Sequence, residues 1–550
     1  MWLWQVKEYR IDRLISHLKS GDKILKNNLF YILVFILFIS YFTFLKNSSL
    51  IFQYLALILF ASSFLQIINE IKKRSFKRPK PTLKIVLIFL LLTAVYSMIV
   101  FCWISSFSIT EETKLPIENL VSGVVLILFI YIVNSLVISS IILTINPFFN
   151  FQKRKIIKKA SEKMKKMKKV KVIGITGSYG KTSTKEFLYT ILSQKYKVVK
   201  TQGNNNTNIG VAYTILNNVS DKYDYFICEM GAYKIGEIAE ICSIANPKIG
   251  ILTGINEQHV ELFGSIENTR KAKFELIEAL PENGLAIIHS SIKYQVLSIK
   301  VKNIKHFSFN DIYNIRVYQD YVEFDLQTTP NTNCHSEEVT TKNPATMHEE
   351  LNNGIATSLC GAPRNDSDND ASNIIKFKLN LLGKHYVKNI ISAIMVAGYL
   401  GMNLDEIAKA VKKIEPTEYM MKKSIGPNNS VFIDDSYSAN PDGVMAALDY
   451  LNETYQNYKK IIVFPGIIEL GNKSKEVHQK LFGSISKICD TAYILNTEYQ
   501  MLNNENNCKF IFEKDFSKAA EMIKKDLDKK TVVLFESRGA GVVMKKIKNE

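Results

Sequence analysis

The stretch "GITGSYGKTS", Gly174–Ser183, decides how the chain is read. In front of it stands the apolar run "VKVIGITG". Behind it, "KTSTKEFLYTILSQK" places Phe187, Leu188, Ile191 and Leu192 on one helical face. The spacing predicts a buried strand, a glycine loop and a helix. That is the context in which backbone N–H groups at a helix N-terminus face an anion. Gly177, Ser178, Gly180, Lys181, Thr182 and Ser183 are therefore candidate nucleotide-binding residues. Position 175 is Ile, so this is the short G-x-x-G-K-T form. The plainer alternative is a glycine turn with a surface lysine.

Beyond Val170, short apolar runs alternate with amphipathic segments, the texture of parallel-sheet α/β domains. A central P-loop ATP-binding domain is expected over 172–415, and a C-terminal Rossmann-like α/β domain over 416–550. Residues 328–373, rich in Asn, Thr and Ser, are expected to be a mostly disordered insertion. Their histidines and cysteines lack zinc spacing.

The first 150 residues read differently. Apolar runs at Leu29–Leu45, Ser49–Ile68, Ile85–Phe107 and Leu120–Ile145 predict four membrane-spanning helices, an α-helical membrane region ahead of the α/β part. Basic residues cluster before the first run, between the second and third, and after the fourth. Both ends are thus expected in the cytoplasm, with residues 151–171 as a basic linker. This places the protein in the cell membrane as a multi-pass chain with its catalytic domains in the cytoplasm. Residues 1–171 carry a net charge of +18, the whole chain's total, so residues 172–550 are neutral. That argues against a nucleic-acid surface and points the basic charge at membrane lipids. Seven scattered cysteines fit a reducing compartment.

A phosphate loop works with a divalent metal, which needs oxygen ligands. "ICEMGAY" puts Glu229 at a strand end, where open parallel sheets gather ligands. "NEQHVELFG" offers His259, "TRKAKFELIEAL" offers Lys273, and "TQGNNNTNIG" offers Asn204 and Asn206 in a polar loop. Taken singly, each has a plain reading: a surface acid, a helix cap, a solvated lysine, a turn.

Taken together, with "EMGA" (Glu229–Ala232), "DDSYSANPD" (Asp434–Asp442) and "IELG" (Ile468–Gly471) followed by His478, the chain from about Val170 to Glu550 resembles the Mur ligase family, in its branch that adds D-alanyl-D-alanine. The resemblance implies an ATP-dependent amide ligase of peptidoglycan precursor synthesis. In such an enzyme ATP phosphorylates a carboxylate of a muramoyl peptide, and a dipeptide amine attacks the acyl phosphate. It implies Lys181 on the β/γ phosphates, Thr182 and Glu229 on one Mg²⁺, and His259 on a second. Lys273 matches the family lysine that becomes carbamylated. Asn389 of "HYVKN" matches an adenine contact and Asp435 a ribose contact. Asn204, Asn206, Asn440 and Arg538 are expected near substrate.

The match has departures. Met420 stands where the family places a phosphate-binding Arg, Tyr386 interrupts the His-Asn-x-x-Asn pattern, Thr207 replaces an Asn, and Phe535 replaces a Lys. Family members also carry a domain that grips the UDP part of the substrate. With about 22 residues between the fourth apolar run and the first strand, too few for a domain, the membrane region is expected in its place, with the acceptor presented at the bilayer surface as either a small-molecule, UDP-linked muramoyl peptide or a lipid-linked one. Two alternatives stay open: a ligase of this fold with another product, such as a glutamate or amino-acid polymer, and a non-catalytic scaffold.

Overall fold

The computed structural model describes residues 82–107, 116–203, 205–256, 260–292, 299–308, 312–327, 374–418, 420–437, 440–467, 470, 473–502 and 508–549. The chain forms two compact units, residues 1–154 and 155–550. In the first, helix Leu83–Phe107 meets helix Pro116–Lys166 through Ile85, Ile88, Leu92 and Ile142. Polar bonds also link them: Lys84 Nζ donates to Asn146 Oδ1 and Tyr96 Oη to Asn134 Oδ1, each at 2.6 Å.

The expected multi-pass membrane localisation is corrected here. Among the described residues no helix is long and apolar enough to cross a membrane. The first two expected spans, Leu29–Leu45 and Ser49–Ile68, lie outside the described residues. The fourth is no separate rod. Its helix continues unbroken to Lys166, through the segment expected to be a linker. That segment is amphipathic: Ala160 and Met164 are buried, Ile156 and Ile157 pack beside them, and Lys163 donates to the carbonyls of Ile215 and Leu216. With the membrane placement gone, the described residues give no support to a lipid-presented acceptor over a UDP-linked one.

The second unit starts with six parallel strands: β1 (Lys171–Thr176), β2 (Val198–Lys200), β3 (Tyr225–Glu229), β4 (Ile249–Leu252), β5 (Leu285–His289) and β6 (Asn303–Phe307). Their spatial order is β2-β3-β1-β4-β5-β6. Helices cover both faces, which is why β1, β3 and β4 read as unbroken apolar runs rather than alternating ones. From β1 the chain passes to β2 at the edge, comes back through β3, and then crosses to β4 on the other side of β1. The carboxyl ends of β1, β3 and β4 therefore bound a topological switch point, where ligands gather in such sheets.

A three-stranded antiparallel sheet follows: β7 (Tyr313–Val317), β8 (Val322–Gln327) and β9 (Ile374–Leu379). Helix His385–Tyr399 then packs back on the phosphate-loop helix, Lys181–Leu192, burying Phe187 against Tyr386. The expected insertion, 328–373, lies outside the described residues.

The last sheet comprises β10 (Lys422–Ile425), β11 (Val431–Asp435), β12 (Lys459–Phe464), β13 (Thr491–Ile494), β14 (Lys509–Phe512) and β15 (Thr531–Glu536). Its order is β10-β11-β15-β12-β13-β14, parallel except for the edge strand β10. The chain is thus a parallel-sheet central domain followed by a C-terminal α/β domain. Because β15 inserts between β11 and β12, Asp435 and Glu536 are register partners at the sheet's carboxyl end.

Candidate active site

The loop between β1 and helix Lys181–Leu192 is shaped by backbone demands that only glycine meets. Gly180 sits at φ 75°, and a Cβ there would lie 2.5 Å from Asn389 Oδ1. At Gly177, φ 150°, a Cβ would lie 2.1 Å from Thr253 Oγ1. The Ser178 N–H donates to Gly254 O at 2.7 Å, tying the loop to the end of β4. The helix it feeds has no side-chain cap, so its first N–H groups stay available. Ser178 Oγ is buried without a partner among the described residues. A cradle that a single Cβ would fill, an uncapped helix start and an orphaned hydroxyl fit a bound phosphate chain.

Lys181 Nζ lies over this loop, donating to Gly177 O at 2.8 Å and Ser178 O at 3.3 Å. Burial lowers its pKa from the usual lysine value, and Glu229 acts in the opposite direction. Thr182 Oγ1 is 3.1 Å from both carboxylate oxygens of Glu229. Glu229 ends β3 and is 1% exposed. It also accepts from Asn206 Nδ2 at 2.9 Å and pairs with Lys185 Nζ at 3.0 Å. Hydroxyl and carboxylate oxygens meeting beside a phosphate cradle fit a hard divalent ion. Asn206, expected near substrate, is instead directed at Glu229. Ser183 is the next residue of the same helix.

Lys273 lies on helix Ile266–Glu278 and is 3% exposed. Its ammonium is 5.5 Å from the Phe263 ring centre, and among the described residues one weak bond reaches Ala232 O at 3.5 Å. Burial, reinforced by Lys181, lowers its pKa to about 7, against the pull of Glu237 and Glu275. A large fraction is therefore neutral amine near pH 7, the form that reacts with carbon dioxide. His259 and Asn204 lie outside the described residues.

Among the described residues, the C-terminal domain meets this site at the turn that begins with Asn440. Asn440 caps helix Pro441–Thr454 by accepting from Gly443 N, and Asp442 in that first turn accepts from Asn256 Nδ2 at 2.8 Å. Asn256 follows β4, so the bond joins the two domains beside the phosphate loop. Arg538 Nε donates to Tyr437 O at 3.1 Å, and its guanidinium lies 5.5 Å from that ring's centre. Asn389 lies against Gly180, with its carbonyl accepting from Thr184 Oγ1. Asp435 has its carboxyl raised to about 7 by burial and then by Asp434.

Each departure from the family pattern has a structural occupation. Thr207 caps helix Asn208–Asn218, its hydroxyl accepting from Gly210 N. Met420 is 3% exposed in the core, which excludes a phosphate contact from its side chain. Tyr386 Oη accepts from Met421 N. Phe535 packs on Phe432. His478 is a packing residue, with Nε2 accepting from Ile467 N and Nδ1 bonded to Ser474 O.

Two residues escaped the sequence reading. Lys185 is fully buried against Glu229, and its signal was the i, i+3 spacing from Thr182, which puts both on one helix edge. Glu536 is fully buried with neither carboxyl oxygen bonded among the described residues. Its signal was an acid closing the otherwise apolar strand "TVVLFE".

Residues 175–397 match the family model for the Mur ligase middle domain, and residues 420–539 match that for the Mur ligase, glutamate ligase domain. Together these span more than half of the chain. It belongs to the Mur ligase family. Members of the Mur ligase family are ATP-dependent ligases that form amide bonds, and so is this chain. It is 28% identical over 378 residues to UDP-N-acetylmuramoyl-tripeptide--D-alanyl-D-alanine ligase of Rickettsia prowazekii, covering 67% of this chain and 75% of that protein. The same-named Bacillus subtilis protein is 29% identical over 314 residues, 56% of this chain and 59% of that protein. The chain thus spans less than two thirds of the Bacillus relative. Among solved structures, the MurF ligase from Thermotoga maritima in complex with ADP superposes with a TM-score of 0.59 at 24% identity, covering 72% of this chain and 84% of that one. At that identity the likeness shows the fold alone.

Proposed function

We propose that this Mur ligase joins D-alanyl-D-alanine, or a similar amine, to the terminal carboxylate of a muramoyl tripeptide, with ADP and phosphate released. The observation that carries the reading is the meeting of Thr182 and Glu229 at 3.1 Å beside the glycine cradle, within one compact unit with the Asn440–Asp442 turn. The names of the relatives supply the substrate class.

The chain's own residues divide the work. Gly177, Ser178, Gly180 and Ser183 shape and line the phosphate cradle, and Lys181 offsets phosphate charge. Thr182 and Glu229 would hold Mg²⁺, with His259 the candidate ligand of a second ion. Asn389 and Asp435 are assigned to the nucleoside. Asn204, Asn440 and Arg538 are assigned to substrate, Arg538 as a carboxylate contact. Asn206 steadies Glu229. Bringing a carboxylate to a phosphoryl group sets like charges together, so charge neutralisation and positioning carry most of the catalysis. Magnesium supplies charge stabilisation at the phosphates when bound. Lys273, with its pKa lowered to about 7 by burial and then by Lys181, is in part neutral amine at that pH and so suited to carbamylation, which would put an anion beside Lys181.

The experiment is an amine screen. Purified protein receives ATP, magnesium and UDP-linked muramoyl tripeptide with D-alanyl-D-alanine, D-alanine, L-alanine or glutamate, and products are read by mass spectrometry. Ligation of D-alanyl-D-alanine in preference to glutamate supports the proposal. Preference for glutamate, or for building a polymer, replaces it.

A further inference from the structure

A buried lysine beside a metal-binding carboxylate calls for an explanation. Lys185 Nζ lies 3.0 Å from Glu229 Oε2 and donates to Gly203 O at 2.8 Å, with both side chains sealed from solvent. Glu229 Oε1 accepts instead from Asn206, and Thr182 reaches both oxygens. The carboxylate is therefore unevenly loaded: Oε2 carries the internal cation, Oε1 the Asn206 amide, and the Thr182 hydroxyl lies within reach of both. Nearby, Lys185 lies 3.6 Å from Glu186, which also pairs with Lys200. Among the described groups in this chain of contacts, two carboxylates meet two ammonium groups. Lys181 adds a third positive charge at the loop.

A divalent ion entering this pocket alone would meet a neutral-to-positive surrounding, with a buried ammonium bonded to its own ligand. Charges at such separations, away from water, change binding by orders of magnitude. A triphosphate brings several negative charges to the cradle and reverses the balance.

We propose that Lys185 is a positioning residue that holds Glu229 as a one-oxygen ligand and keeps bare divalent metal out of the site, so that metal enters only with the nucleotide. The inference rests on the metal-site reading above and adds to it an order of binding.

Manganese stands in for magnesium in the test, because its electron paramagnetic resonance signal reports free ion directly. Wild-type protein is titrated with Mn²⁺ with and without a non-hydrolysable ATP analogue, beside Lys185→Arg and Lys185→Gln; circular dichroism confirms folding. Wild type and Lys185→Arg should bind Mn²⁺ only with the analogue. Lys185→Gln, which keeps an amide donor but loses the charge, should bind Mn²⁺ without nucleotide about tenfold or more tighter than wild type. Comparable Mn²⁺ affinity of wild type with and without the analogue overturns the inference, as does a Gln variant no tighter than wild type. Should the Gln variant fail to fold, the wild-type titration alone decides. Wild type that binds no Mn²⁺ even with the analogue overturns the metal-site reading itself, a result distinct from the others.

Discussion

The hydroxyl of Tyr386 accepts a 2.8 Å hydrogen bond from the backbone N–H of Met421. Tyr386 belongs to the helix that backs the phosphate-loop helix, and Met421 is the last residue before β10. The bond thus ties the central domain to the entry of the C-terminal one, using one position, Tyr386, where the sequence departs from its family's pattern, and the neighbour of another, Met420.

Tyr386→Phe removes the acceptor and strands a buried N–H. The expected cost is about 1–3 kcal/mol of stability, read by urea unfolding. Because the bond sits at the domain entry, activity should fall more than the folded fraction does. A variant as stable as wild type would show that Met421 N finds another partner.

Gly180→Ala tests the cradle. At φ 75° an alanine is strained by about 1–2 kcal/mol, and its Cβ would collide with Asn389. ATP affinity, measured by calorimetry, is expected to fall about tenfold or more. Unchanged affinity would mean that phosphate does not bind in this loop.

Lys273 makes stability depend on pH in a defined direction. Its pKa is about 7 in the folded chain against 10.5 for an ordinary lysine, so between these values the unfolded chain holds the extra proton. Stability from this group is full above about pH 10.5 and is lost as pH falls toward 7, by about 1.4 kcal/mol per unit. Lys273→Met should therefore be more stable than wild type near pH 7, with the gain shrinking toward pH 10. Parallel pH–stability curves for the two proteins would contradict the assignment.

How legible was this in the residues? The loop Gly174–Ser183 and its flanking strand and helix follow from glycine spacing and apolar periodicity, because a buried parallel strand leaves an unbroken apolar run. Glu229 could be placed at a strand end for the same reason. Asn206 and Lys185 could not be assigned their partner, since both reach Glu229 from different elements and only the sheet order β2-β3-β1 brings them together. The membrane expectation came from apolar composition, which does not reveal that the helix from Pro116 runs on as an amphipathic segment buried against the central domain.

Glu536 has its carboxyl pushed well above the usual range by burial, then by Asp435 and Asp434. Its stabilising contribution is present below pH 4.5 and is lost as pH rises, by up to about 1.4 kcal/mol per unit until the folded group ionises. Glu536→Gln removes that loss, so the variant should outlast wild type by a margin that widens from pH 5 to pH 8 in denaturant unfolding. A margin that narrows over that range would place the carboxylate in a charged, paired state.

The central claim is that two domains hold ATP and magnesium so that its terminal phosphate activates an acid for attack by an amine. ADP release by the purified protein, measured with muramoyl tripeptide and D-alanyl-D-alanine added singly and together, tests it most directly. The account predicts sustained release only when both are present with magnesium, and loss of that release in Lys181→Ala. Release that ignores the amine and survives in Lys181→Ala, or no release under any combination, would contradict it.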